Sequence, residues 1–238
     1  MDVYKQWLKV EKDWIGAYCN KVKLMSVLKV VPATIIILVL LFGGLAAANG
    51  NVSANSVIEG ASGGLFIGIF VCMVYLVILF PALSPKRYVK KIDKTISKMG
   101  LDNFDKEQLA KEFLEAESNV KKTFSFDMKG PNSKNTPARF VVSEHYAMLE
   151  GGFPYAIIVK LQDIKEIKPS QEKKTAFRRS GNVHTSYFFT LYTIQFYRYD
   201  RAQRGLSGKD LPDEAMGFMD KEIRDRAILL LEKNKTNY

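Results

Sequence analysis

The residues that most often carry out chemistry in proteins are scarce in this chain. It has two histidines, His145 and His184, and two cysteines, Cys19 and Cys72. These are too few for a disulfide framework or for a histidine and cysteine metal site with the usual number of ligands. Neither histidine belongs to a recognisable nucleophile motif, and the phosphate-binding patterns GxxxxGK[ST] and GxGxxG do not occur. We therefore expect no catalysis, no metal and no cofactor.

The candidate binding residues are four cations around a predicted turn at residues 180–182. They are Lys173, Lys174, Arg178 and Arg179. Such a group can contact lipid phosphates or an acidic protein, since arginine holds a phosphate through two hydrogen bonds. The alternative is a solvated hairpin whose charges only protect a strand edge from aggregation.

Two long uncharged runs, residues 30–48 and residues 63–83, dominate the first third of the chain. Each is long enough to cross the hydrocarbon core of a bilayer. Neither has the polar stripe that a buried helix of a soluble domain presents to water. The pattern predicts two transmembrane helices. Because neither run contains Asp, Glu, Lys, Arg or His, we do not expect a transporter or a pump.

The lysines and arginines beside the two runs predict their orientation. Residues 1–29 hold six lysines and residues 84–100 hold six basic residues, whereas residues 49–62 hold none. Positive flanks are retained in the cytoplasm, so we expect a hairpin in the plasma membrane with both termini cytoplasmic and a short outer loop. The basic residues nearest the second run are Lys86, Arg87, Lys90, Lys91 and Lys94. They either fix the orientation alone or also attract anionic lipid.

Small residues recur every four positions in both runs. Gly60, Gly64 and Gly68 follow this spacing in the second, and Gly43 and Gly44 each precede an alanine by four positions in the first. Stripes of this kind let helix backbones approach closely in lipid. They indicate either packing of the hairpin on itself or formation of a homodimer.

The segments beside the hairpin are expected to be amphipathic helices. Residues 1–29 form one whose apolar face is mostly aromatic, and it lies either in the headgroup region or against the soluble domain. Residues 84–121 are expected to form a helical stalk. Its first helix is basic and ends at Gly100, and its second is acidic and begins near Asp105, with Gln108 completing the cap.

From residue 122 the apolar pattern alternates, which predicts six or seven short strands. We expect them, after a first strand near residue 126, in the segments ARFVV, HYAMLEG, YAIIVKL, DIKEI, TAFRR and SYFFTLYTIQFYRY. A helical pattern follows, with Met216, Met219 and Ile223 on one face, and ends near Lys233. Residues 122–238 are therefore expected to form a small barrel or sandwich whose open end is closed by a C-terminal helix.

Two segments of this region resemble a known family, the bacterial membrane-anchored proteins with a pleckstrin-homology-like (PH-like) or GRAM-like domain. Residues 140–149, FVVSEHYAML, resemble its tight second hairpin, in which a polar pair separates two short strands. Residues 158–167, IVKLQDIKEI, resemble the family's pattern at the entry to a strand. That pattern is an apolar residue, Leu, a polar residue, Asp-Ile, two polar residues and Ile. The resemblance implies a binding or scaffold fold with diverse ligands.

Together these features predict a membrane protein, a two-helix transmembrane hairpin with a cytoplasmic α+β domain. We expect a non-enzymatic protein that binds a protein partner or anionic lipid headgroups. The alternative is an accessory subunit of a larger membrane complex or a homo-oligomer, and a membrane-bound enzyme is the least favoured. The net charge of +10 does not indicate nucleic acid, because no compact basic face stands out.

Overall fold

The structure is a computed structural model that describes residues 2–48, 53–129, 135–151, 155–180, 183–201 and 211–235. Side chains are described for these residues except 129, 135, 155, 177–180, 183–185, 201 and 235. The chain divides into two compact units. Met1–Val10 and Tyr88–Tyr238 form one, which we call the α+β unit, and Glu11–Arg87 forms the other, which we call the helical unit.

The helical unit is built on two long helical segments. Helix α1 (Val3–Met25) continues through a π-helical turn (Ser26–Val30) into α2 (Val31–Ala48), and α3 (Ala54–Ala82) runs back beside α2. By length and composition alone, the helical stretches Val3–Ala48 and Ala54–Lys98 are long and apolar enough to cross a membrane.

Helix α3 begins earlier than the sequence pattern predicts. We expected a loop up to residue 62, but the helix starts at Ala54 because the Ser53 side chain accepts a hydrogen bond from the Ser56 backbone N–H at 3.2 Å. A serine in this position satisfies one of the free N–H groups of the first turn. Residues 49–52 of the expected loop lie outside the described part of the chain.

Glycines of α3 lie against the backbone of α2. A Cβ at Gly64 would lie 2.6 Å from the Leu38 carbonyl oxygen, and one at Gly60 would lie 2.7 Å from the Phe42 carbonyl oxygen. At Gly68 the nearest atom would be the Ile35 Cα, at 3.3 Å. The two helices therefore approach so closely that a side chain larger than hydrogen at Gly60 or Gly64 would push them apart.

The glycines of α2 have more space. A Cβ at Gly43 would be in ordinary contact with the Ala61 Cβ at 3.6 Å, and one at Gly44 would meet nothing within 4 Å. The close approach of the hairpin thus depends mainly on α3, and Gly44 faces open space.

The α+β unit contains two antiparallel sheets. The first has the order β1 (Thr123–Lys129), β2 (Asn135–Val142), β3 (Tyr146–Gly151) and β4 (Tyr155–Lys160), and the second has the order β5 (Ile164–Ser180), β6 (Val183–Arg198) and β7 (Glu214–Phe218). Helices α4 (Pro85–Lys98) and α5 (Asn103–Glu117) precede the sheets, and α6 (Lys221–Lys235) follows them. The prediction of two long apolar helices and a sheet-rich α+β domain is confirmed.

One hydrophobic core joins the two sheets and α6. The first sheet contributes Phe140 and Leu149, the second contributes Phe196 and Phe218, and α6 contributes Leu231. The Phe140 and Phe218 rings meet edge to face with their centroids 6.2 Å apart. Burial of these aromatic side chains stabilises the unit, since each removes a large apolar area from water.

The second sheet differs from the expected strands in two places. The segments DIKEI and TAFRR are parts of a single strand, β5. Met216, which we placed on the C-terminal helix, lies in β7, where it pairs with Ile194 and is fully buried. Helix α6 begins only after Asp220, whose side chain accepts hydrogen bonds from the N–H groups of Glu222 and Ile223 at 2.7 and 3.3 Å.

Residues 88–98 of α4 and all of α5 belong to the α+β unit. Helix α4 buries Tyr88, Ile92 and Ile96, and the N-cap of α5 is Asp102 rather than Asp105, because the Asp102 side chain accepts from the Asp105 N–H at 2.8 Å. The first turns of α1 also belong to this unit.

The beginning of α1 packs on α5. Trp7 is fully buried, and its ring lies 5.6 Å from the ring of Phe113. The Tyr4 hydroxyl donates to the Asp93 carboxylate of α4 at 2.7 Å. Of the two positions that the sequence left open for this helix, residues up to Val10 take the one against the α+β unit.

Candidate functional site

The four cations noted in the sequence lie on one long hairpin. In its register Lys173 is opposite Thr190, Lys174 opposite Phe189, Arg178 opposite Thr185 and Arg179 opposite His184. Strand β7 pairs with β6 only at residues 192–196, so no described strand flanks the far part of the hairpin. We call this far part, residues 172–180 and 183–191, the ribbon. The side chains of Arg178 and Arg179 lie outside the described part.

The polarity of the ribbon changes from one strand to the other. The β5 strand presents four exposed polar side chains, those of Glu172, Lys173, Lys174 and Thr175. The β6 strand presents four large apolar ones, those of Tyr187, Phe188, Phe189 and Leu191, and Phe188 is 78% exposed. Because paired strands lie about 4.8 Å apart, an aromatic strand runs directly beside a basic one.

The aromatic residues of the ribbon point to both of its faces. Successive side chains of a strand alternate, and residues directly opposite each other share a face. Phe188 therefore shares a face with Thr175, whereas Phe189 shares the other face with Lys174. Covering only one face of the ribbon would leave aromatic side chains on the other in water.

The ribbon has a net positive charge. Residues 172–180 contain four cations and one carboxylate, Glu172, which gives +3, and residues 183–191 contain no Asp, Glu, Lys or Arg. Glu172 forms an ion pair with Lys174. At this degree of exposure such a pair contributes little to stability. Lys173 and Lys174 are both exposed, so they can interact with an external anion.

A second basic surface lies on α4, which follows α3 after residues 83 and 84. All of its cations are exposed: Lys86, Arg87, Lys90, Lys91, Lys94 and Lys98. The opposite side of this helix is fully buried at Tyr88, Ile92 and Ile96. We call the exposed side the α4 basic face. The structure places the two basic groups on different elements, one on α4 and the other on β5.

Sequence reasoning missed a buried polar network in the α+β unit. The Glu150 carboxylate of β3 is fully buried, and it accepts hydrogen bonds from the Arg139 Nε and the Tyr88 hydroxyl, both at 2.5 Å. Arg139 also lies 3.2 Å from the Glu117 carboxylate of α5. The network therefore connects α4, α5, β2 and β3. The hairpin register could have revealed part of it, because Arg139 and Glu150 are directly opposite.

His145 joins a second polar cluster at the turn between β2 and β3. Its Nδ1 lies 2.6 Å from the Glu112 carboxylate, which also accepts the His145 backbone N–H at 2.9 Å. The Gln108 amide donates to the same carboxylate at 3.0 Å. Burial alone would raise the pKa of Glu112, but hydrogen bonds from His145, Ser143 and Gln108 outweigh it and hold the pKa below its usual value.

This cluster ties the turn to its surroundings. The Asn234 amide of α6 donates to the Ser143 carbonyl at 2.5 Å, and Ser143 donates its hydroxyl to the Tyr146 carbonyl at 3.1 Å. The Ser143 side chain is buried and already hydrogen-bonded, so it is not placed as a nucleophile for His145. The contacts of His145 thus join α5 to the β2–β3 turn.

Two clefts open on the α+β unit. One of about 550 Å³ is lined by Lys98, Arg198, Asp200 and Glu214 over Ile157, and its charges are of both signs. The other, of about 390 Å³, is lined by Lys121, Lys122 and Lys233, together with Asn119, Val142, Leu230 and Asn234. Among the described residues, no three His, Cys, Asp or Glu side chains converge on a metal position.

Comparison with protein-family models, curated proteins and solved structures finds no match to this chain.

Proposed function

We propose that this chain is an integral membrane protein whose helices α2 and α3 cross the bilayer as a hairpin. The observation that carries the proposal is the apolar surface on the outer sides of these helices, where Leu40, Phe66 and Val77 are 69%, 77% and 68% exposed. Soluble proteins rarely expose apolar surface of this extent, whereas lipid chains solvate it well. The inner sides already contact each other through glycine, which leaves the outer sides of the described helices for an external apolar medium to cover.

Contacts inside the α+β unit support an even number of membrane crossings. Tyr4 precedes α2 and Asp93 follows α3, yet their side chains form a hydrogen bond, and both residues belong to the same unit. In this proposal the segments before and after the hairpin therefore lie on one side of the bilayer. The six lysines of residues 1–29 and the α4 basic face make that side the cytoplasm in this proposal, at the plasma membrane.

The α+β unit in this proposal is a PH-like binding domain held at the inner leaflet. What supports this is the order of its elements, a four-stranded antiparallel sheet, a three-stranded antiparallel sheet and then one helix that packs on their common core. Its ligand is a protein partner or an anionic lipid headgroup. The ribbon and the α4 basic face are the surfaces whose charge and exposure support that ligand class.

Cysteine labelling in intact cells tests the topology. Asn55→Cys lies in the first turn of α3 and Ser97→Cys on α4, and both positions are exposed. A membrane-impermeant maleimide should label Asn55→Cys from outside, and Ser97→Cys only after permeabilisation. Cys19 and Cys72 are buried, so the unmodified chain is the matched control. Labelling of both positions from the same side, or extraction of the chain by alkaline carbonate, would refute the hairpin.

The second candidate is an accessory subunit that associates through its hairpin. It is favoured by Gly44 and Gly63, where an added Cβ would meet nothing within 4 Å. Small residues on the open side of a helix would let another helix approach closely. Native mass spectrometry after mild detergent extraction should then show a complex larger than the monomer. A monomer without any bound protein would count against this candidate.

A further inference from the structure

We propose that the ribbon inserts its aromatic strand into the headgroup region of an anionic phospholipid bilayer, as a membrane contact separate from α2 and α3. The ligand is the bilayer surface itself. This inference rests on the proposed membrane anchoring and names one ligand of the displayed domain. The juxtaposition that carries it is a β6 strand with one exposed and two partly exposed aromatic residues, Phe188, Tyr187 and Phe189, beside a β5 strand rich in cations.

The chemistry of the two strands matches the layers of a membrane surface. Phenylalanine and tyrosine side chains favour the boundary between headgroups and acyl chains, and lysine and arginine favour the phosphates just above it. With β6 deeper than β5, the strand spacing of about 4.8 Å places the cations nearer the phosphates than the aromatic rings are. Phe188 and Lys173 are exposed representatives of the two strands.

The alternating direction of the aromatic side chains determines how the ribbon enters. Phe188 points to one face, and Tyr187 and Phe189 point to the other, so a bilayer touching one face alone would leave part of the aromatic surface in water. Insertion edge-on, with the free edge of β6 leading, brings both faces into the headgroup region. The backbone groups of that edge, which no described strand pairs with, find water and phosphate oxygens there, which the hydrocarbon core does not offer.

Tethering makes a weak contact sufficient. If α2 and α3 hold the chain in the bilayer, the ribbon meets lipid in an intramolecular step, at an effective concentration on the order of millimolar. The net charge of +3 on residues 172–180 then selects anionic over neutral lipid. Because the contact is partly electrostatic, it should weaken as salt shortens the screening length.

Fluorescence quenching by brominated lipid tests this inference on the full chain in nanodiscs. The reporter is Phe188→Trp and the matched control is Phe104→Trp, which is equally exposed at 76% but lies in α5 between Asp102 and Asp105. Both chains contain Trp7 and Trp14, so subtracting the emission of the unmodified chain leaves the emission of the new tryptophan. We expect strong quenching of Phe188→Trp in discs that contain phosphatidylglycerol and little in phosphatidylcholine alone, with little quenching of Phe104→Trp in either.

The dependence on charge provides the second readout. Replacing Lys173 and Lys174 by Ser in the Phe188→Trp chain should lower the inserted-to-free ratio roughly fivefold for each cation removed. High salt should also lower the inserted-to-free ratio. The inference is overturned if Phe188→Trp and Phe104→Trp are quenched alike, or if quenching of Phe188→Trp ignores both lipid charge and salt. Quenching that appears only after a protein partner is removed would also overturn it, because the ribbon would then be a protein-binding surface.

Failure of the inference can be distinguished from failure of the membrane proposal. If the ribbon is not quenched but the chain resists carbonate extraction, only the ribbon contact is lost. If carbonate extracts the chain, the anchoring and the inference that rests on it both fall.

Discussion

Replacing Arg139 by Met should destabilise the α+β unit by about 3–5 kcal/mol, the usual cost of removing one partner from a buried ion pair. The Arg139 and Glu150 residues are only 7% and 0% exposed, so water cannot replace the lost guanidinium. Glu150 would keep the hydrogen bond from the Tyr88 hydroxyl, and Glu117 would lose a cation that now lies 3.2 Å away. A loss of this size is a large fraction of the roughly 5–15 kcal/mol that stabilises a typical domain.

Urea unfolding of the detergent-solubilised full chain measures this loss. Tryptophan emission is a suitable signal because Trp7 is fully buried against Phe113, and opening of the unit exposes its indole to water. Arg198→Met is the matched control. Its guanidinium also contacts two carboxylates, Asp163 at 2.9 Å and Asp200 at 3.3 Å, but the side chain is 34% exposed. A partly exposed pair contributes at most about 1 kcal/mol.

A double variant separates charge burial from lost packing. Replacing Arg139 by Met and Glu150 by Leu together removes both charges of the pair and should cost less than Arg139→Met alone. If Arg139→Met costs no more than Arg198→Met, Glu150 is not held as a buried anion and the reasoning fails. An equal loss in the single and double variants would refute it as well, because lost packing would then account for the whole effect.

Three further predictions concern other elements. Gly64→Ala should destabilise the hairpin by about 1–3 kcal/mol in a detergent melt, since the new Cβ would lie 2.6 Å from a carbonyl oxygen of α2, whereas Gly44→Ala, which has open space, should not. The lowered pKa of Glu112 means that its contribution to stability is present above the unfolded glutamate pKa of roughly 4.3 and is lost as the pH falls through the folded value. In the Glu112→Gln variant the free energy of unfolding should therefore fall less steeply as the pH is lowered into the acid range. An unchanged fall would contradict the conclusion that the His145 contacts stabilise the Glu112 carboxylate. Asp220→Ala should cost about 1 kcal/mol in urea unfolding, because the first turn of α6 loses the acceptor of two N–H groups; an unchanged unfolding midpoint would show that this cap is dispensable.

The sequence predicts structure best where one hydrophobic pattern, uniformly apolar or alternating, continues without interruption. The uncharged runs predicted α2 and most of α3, and the alternation from residue 122 predicted a sheet-rich region. The sequence patterns missed the helix boundaries that side-chain caps set. The Ser53 cap starts α3 at Ala54, nine positions before Gly63. The Asp220 cap starts α6 after residue 220, and Met216 therefore lies in a strand. Met216 and Met219 are three residues apart, and a pattern this short also suits the end of a strand.

The candidate site was only partly predictable, for a related reason. The cations of β5 were visible because their side chains are exposed and clustered in sequence. That aromatic residues of β6 lie beside these cations follows only from the strand register, which places Phe188 opposite Thr175. The Tyr88 contact with Glu150 joins residues 62 positions apart, and no local pattern records such a pairing.

The α+β unit is discontinuous in sequence, and under the proposed topology its folding would depend on membrane insertion. The hydrogen bond of Tyr4 cannot form before Asp93, 89 positions later, is present. In the same way Trp7 cannot pack before Phe113 is present. Under the proposed topology the chain between these partners makes two crossings, and a chain arrested after one crossing would keep them on opposite sides of the bilayer. Completion of the unit would then report that both crossings had been made. A misinserted chain would instead present Trp7 and the uncovered surface of α5 to quality-control proteases, so the first ten residues would act as a built-in check on topogenesis.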